Sequence, residues 1–190
     1  MKHAAPLLAF ALVALAAGCA STPPLRYTVP EAPVAGPRLP SAFATVALRE
    51  VALPAYAASD EIHIRTADGA LAPAPAVLWA DDPARAITGD LARYLGRMTG
   101  ATVAAEPWPF FERAAATLEV RVSDMLAEAD GRFRLSGQYF VAPEQGRRGR
   151  SGSFAITTRI APGGGPAAIA AARGEALRDL AALIAREGLR

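Results

Sequence analysis

The sequence predicts a single α/β domain in which a mixed, largely antiparallel sheet is packed by two main helices. Three observations predict it. Residues 118–122, 133–141 and 154–160 alternate apolar and polar side chains, the pattern of strands with one dry and one wet face. Residues 83–99 and 166–187 instead repeat apolar side chains at helical spacing. Asp-Gly and Gly-rich stretches separate these runs where a chain must turn.

In chain order, residues 1–18 read as a cleaved secretory signal. Lys2 and His3 precede an apolar run that ends in Leu15-Ala16-Ala17-Gly18-Cys19, and the run is shorter than the ~20 residues of a spanning helix. Cys19, the only cysteine, stands where a bacterial lipoprotein is cut and acylated. Its thiolate is the nucleophile that accepts a diacylglyceryl group, and stable anchoring takes two or more chains. Ala16 departs from the preferred Leu three residues before the cysteine. Ala20 and Ser21 lack the Asp that retains lipoproteins at the inner membrane, so the periplasmic face of the outer membrane is expected. Residues 19–43, rich in Pro and Ala, read as a lipidated, extended tether, with Tyr27 and Val29 able to dock. Residues 44–190 read as the globular periplasmic domain.

Within that domain, Thr45–Leu53 reads as a strand with two parities, Val46 and Leu48 against Val51 and Leu53. That predicts either burial on both faces or a bulge near Arg49-Glu50. A strand over Glu61–Arg65 follows, then a turn at Asp68-Gly69. Pro73 and Pro75 are expected to break the chain before Val77-Leu78-Trp79. Asp82 reads as an N-cap, Pro83 as a first helical residue and Gly100 as the stop. Ile87, Leu91, Leu95 and Met98 form the stripe between them. Thr102–Ala105 is a short strand, the meander comes next, and the last helix buries Ile169, Ala176, Leu177, Leu180 and Ile184.

Composition narrows the function. Twenty basic and 18 acidic side chains give a net charge of +2, too balanced for a nucleic-acid surface. One cysteine permits no internal disulfide. His63 is the only histidine beyond the signal, so no metal set can be assembled around it, and its alternation with Ile62 and Ile64 gives it a structural place. Asp82 is explained as a cap rather than as half of a carboxylate pair with Asp81. Gly163-Gly164-Gly165 lacks the Lys and Ser/Thr of a phosphate cradle and reads as a turn. No catalytic residue, cofactor or metal is expected. Two segments are candidate partner or membrane contacts. Trp108, Phe110 and Phe111, stiffened by Pro107 and Pro109, form either a lid on the core or an exposed contact patch. Arg147, Arg148 and Arg150 form a basic hairpin tip that suits an acidic partner, anionic headgroups, or solvent alone.

The order of these features resembles the PqiC/YmbA-type lipoproteins, the ABC-type transport auxiliary lipoproteins. The resemblance rests on the lipobox at Cys19, Tyr27-Thr28-Val29-Pro30, and Val51-Ala52-Leu53-Pro54-Ala55-Tyr56. It continues through Ile62-His63-Ile64-Arg65, Trp79-Ala80 before a helix, Val103 to Pro107-Trp108-Pro109, the meander and the closing Ala/Leu-rich helix. It implies a periplasmic fold similar to the TolB amino-terminal domain. It also implies a non-catalytic docking role in an MCE-type lipid transport system. The partners would be an MCE-domain periplasmic protein and its inner-membrane ABC transporter, with a homo-oligomeric ring possible. The alternatives are an envelope assembly factor that binds another periplasmic protein and, less favoured, a lipid-tethered hydrolase.

Overall fold

A computed structural model describes residues 23–146 and 148–190. Cys19 and Arg147 therefore lie outside the described residues, as does the signal segment. The elements in chain order are β1 (Leu25–Tyr27), β2 (Thr45–Leu48), α1 (Ala55–Ala58), β3 (Glu61–Arg65), β4 (Leu71–Trp79), α2 (Pro83–Thr99), β5 (Thr102–Ala105), β6 (Ala116–Glu128), β7 (Arg132–Pro143), β8 (Arg150–Arg159) and α3 (Gly165–Glu187). The eight strands make one mixed sheet. The long ladders, β6 with β7 and β7 with β8, are antiparallel. The other edge of β6 is shared: β2 pairs with it at Ala116–Leu118, and β3 at Ala127 and Glu128, both in parallel. β5 extends the β2 side, while β4 and β1 extend the β3 side.

The meander forms as its alternation requires. Phe133, Leu135, Tyr139 and Val141 of β7 are buried, with Leu118 and Val120 of β6 and Phe154 of β8. α3 packs on β7 and β8, and α2 packs on α3 and β5. Asp82 Oδ1 accepts the Arg85 backbone N–H at 2.8 Å, and Gly100 closes α2 at φ 76°. Close approach demands glycine at Gly137, where a Cβ would lie 2.1 Å from the Arg121 carbonyl oxygen.

The two-parity strand resolves as a bulge. Leu48 stands opposite Leu118 and Ala52 opposite Arg121, so β2 and its extension carry one extra residue. Arg49 and Glu50 are exposed there, and Val51 turns inward, its N–H held by Thr88 Oγ1 at 2.9 Å.

Two expectations are corrected. Pro73 and Pro75 do not break the chain; β4 runs through both. Its Pro-bearing half pairs with β3 on one side only, because β1 covers just Val77–Trp79. A missing N–H costs little on such an open edge. The slack is taken up by a register shift opposite Glu61 and His63 and by Ala76 at φ 56°. The expected tether over residues 19–43 is, from Leu25 on, a strap on the domain. Ala32 and Phe43 are buried, Ala32 N–H donates to Tyr94 Oη at 2.7 Å, Leu39 N–H to the Met98 carbonyl at 2.7 Å, and Ala42 N–H to the Leu189 carbonyl at 2.6 Å. The prolines that suggested an extended spacer also lower the entropy lost when a strap docks.

Candidate docking surface

The aromatic segment leaves β5 after Glu106, whose N–H donates to the Leu48 carbonyl at 2.8 Å, and the Glu106–Pro107 peptide is cis. Trp108 Nε1 donates to the Glu112 carbonyl at 2.8 Å, closing a small loop. The Trp108 and Phe110 rings lie 5.0 Å apart at 58°, within the range of favourable tilted aromatic pairs. Phe110 is 53% exposed and Phe111 102% exposed. Phe110 and Phe111 project from the surface, and the lid alternative does not form.

The chain then returns to β6 beside the β7–β8 connection. Arg113 Nη1 donates to Glu144 Oε1 at 2.7 Å, Glu144 N–H to the Ala115 carbonyl at 3.0 Å, and Ala115 N–H to Thr45 Oγ1 at 2.8 Å. Glu144 hydrogen bonds raise the Arg113 pKa above its ordinary value. A cleft of about 490 Å³ opens between these segments, lined by Ala42, Phe43, Arg113 and Glu144 among others. Arg148 is exposed, and Arg150 Nη1 donates to the Glu187 carbonyl at 3.2 Å at the end of α3. The two candidate segments, far apart in sequence, thus border one region of the molecule.

The chain enters from the other direction. β1 runs parallel to β4, so tracing back from Leu25 leads toward the β3–β4 hairpin, and Arg65 of that hairpin pairs with Glu128 at the β6–β7 end. The β7–β8 connection lies at the opposite end, where Ala116 meets Pro143. With ~3.3 Å per residue, β6 separates these ends by roughly 40 Å.

The remaining candidates have structural roles. His63 is mostly buried, 3.3 Å from the Glu61 carbonyl and edge-on to Tyr56. Asp81 Oδ1 accepts the Asp82 N–H at 2.8 Å and pairs with Arg85. No group of His, Cys, Asp and Glu suited to a metal ion occurs among the described residues, and no helix among them is long and apolar enough to cross a membrane. On the wet face of the sheet, Glu119 accepts from Arg121 at 2.6 Å and Arg49 at 2.8 Å, and those hydrogen bonds hold its carboxyl below the usual range.

Sequence reasoning missed Arg173. It is 1% exposed, with its guanidinium 4.4 Å from the Trp79 ring, one long bond from Nη2 to the Pro83 carbonyl at 3.4 Å, and Nε unpartnered. Burial pushes its pKa down to about 10. The signal was present in the spacing, since Ile169, Arg173, Ala176, Leu177 and Leu180 share one stripe.

The model of the ABC-type transport auxiliary lipoprotein component family matches residues 27–185. The chain belongs to this family. The match begins within β1 and ends in the last turns of α3, so the strap is inside it. Solved structures agree on the fold. The crystal structure of an uncharacterized protein superposes with TM-score 0.69 at 18% identity, covering 86% of this chain and 97% of its own. A DUF330 protein from Xanthomonas campestris superposes with TM-score 0.66 at 16% identity, covering 84% and 91%. None of the curated proteins matches the chain.

Proposed function

We propose that this family member is a lipid-anchored outer-membrane lipoprotein, attached through Cys19, that serves as the non-catalytic docking subunit of an MCE/ABC-type lipid transport system. The family match over residues 27–185 carries the reading. The geometry supports it in one further respect. The chain enters the fold from one end, and the aromatic and basic candidates lie toward the other. Residues 20–24 span at most roughly 20 Å, which keeps the entry end near the bilayer and directs the projecting loop into the periplasm. Phe110 and Phe111 then meet a protein partner rather than lipid, as aromatic anchors suited to a pocket on that partner. Arg148 and Arg150 supply a positive rim that speeds encounter with an acidic surface.

Affinity capture of the full-length lipoprotein from a detergent-solubilised envelope tests the reading. It should recover an MCE-domain protein together with the permease and ATPase of an ABC transporter. Recovery of unrelated envelope proteins alone would contradict it and favour an assembly-factor role.

A further inference from the structure

Between the strap and the two long helices lies a second cleft, of about 380 Å³. Val34 and Leu39 of the strap, Met98 of α2 and Ala182 of α3 supply apolar walls. Arg38, Arg97, Arg178 and Arg186 line it as well, and no carboxylate does. Arg97 pairs with Glu31 and Arg178 with Asp179 at 2.8 Å. Among the described residues the ion pairs at this cleft are those of Arg97 and Arg178, and none engages Arg38 or Arg186.

Helix dipoles account for part of this arrangement. Arg97 and Arg186 stand in the last turns of α2 and α3, where free carbonyls favour cations. They do not account for Arg38, on the strap, or Arg178, in mid-helix. The Arg38 side chain lies over Gly100 at the end of α2. A Cβ on Gly100 would lie 3.4 Å from its Cδ and Nη1, and the next residue, Leu39, is hydrogen-bonded to Met98.

We infer that this cleft binds an anionic amphiphile, a phosphate-headed lipid whose chain lies on the apolar walls and whose head sits between Arg38 and Arg186. Guanidinium groups take phosphate oxygens in paired, charge-assisted hydrogen bonds. The head supplies the negative charge that the cleft lacks, and the volume falls within the ~300–1,000 Å³ of small-molecule sites. The lining stretch of α3, Arg178 to Arg186, is about 12 Å long. That suits a chain segment better than a partner's amphipathic helix, which spreads its anchors over several turns. This inference stands apart from the transport reading, and its failure would leave that reading intact.

The test uses full-length lipoprotein purified from membranes in neutral detergent. Lauroyl lysophosphatidylglycerol and lauroyl lysophosphatidylcholine are titrated in turn, with retention read by native mass spectrometry. The anionic lipid should bind at one equivalent with at least about tenfold preference. The exposed pair Arg38→Glu and Arg186→Glu should weaken it by at least about tenfold with an unchanged circular-dichroism melt. Inorganic phosphate at equal concentration should not displace it. Equal retention of the two lipids, displacement by inorganic phosphate, or unaltered binding by the double variant would overturn the inference.

Discussion

Arg173 carries a charge that the fold buries without an ion pair: the Trp79 ring and the Pro83 carbonyl are its contacts, and the Asp90 carboxylate acts on it only from beyond ion-pair distance. A buried charge held so loosely stabilises less than an apolar side chain of similar volume. Arg173→Met should therefore leave stability within about 1 kcal/mol or raise it. Arg173→Ala should cost roughly 2 kcal/mol through the emptied space. Urea denaturation of both variants checks this, and equal losses would show that the charge itself holds the fold. Phe111 is the opposite case. Because it touches solvent, Phe111→Ala should change stability by less than about 0.5 kcal/mol while weakening partner capture. Tyr56 donates to Asp124 Oδ1 at 2.6 Å; burial first, then that bond, raise its pKa from 10.0 to about 12. The unfolded phenol ionises first, so this stabilisation is complete below pH ~10 and is lost as the pH rises toward ~12. Burial shifts Tyr94 and Tyr139 in the same direction. Denaturation midpoints should fall across that window, and less steeply in Tyr56→Phe; a flat profile would contradict the assignment.

At the scale of elements, the strap is what would join the proposed anchor at Cys19 to the core. It runs from β1 along α3 and α2 to β2, and a Cβ on Gly174 of α3 would lie 2.4 Å from the Pro30 carbonyl oxygen. Gly174→Val should lift the strap, costing about 1–3 kcal/mol. Hydrogen exchange should then show faster loss at Leu39 and Ala42 in the variant and slow exchange at both in the parent. Fast exchange at both in the parent would show that the strap is free. The strap also marks where sequence reasoning ends. α2, β5 and the meander were legible because their own side chains carry the period and the caps. The strap's docking was legible only at Tyr27 and Val29, which pack on the core, because Ala32, Leu39 and Ala42 bind through backbone groups that leave no side-chain pattern. β4 was misread for a related reason. Whether a strand tolerates Pro73 and Pro75 depends on its position at an edge, which pairing decides and composition does not. The exposed aromatic loop was legible as a candidate, but only the fold shows it standing out from the core beside the segment that leads to Arg148.

At the scale of the whole molecule, the end where the chain enters and the projecting loop are held apart by the length of β6. On the proposed reading the domain is a short post whose far end faces the periplasm. The decisive measurement is site-specific photo-crosslinking in cells, with the crosslinker placed at Phe111 in one strain and at Arg134, on the wet face of the sheet, in another. The account predicts that the Phe111 position captures an MCE-domain protein and that the Arg134 position captures it far less. Capture from Arg134 alone, or no MCE-domain protein from either position while the lipoprotein remains in the outer membrane, would contradict it.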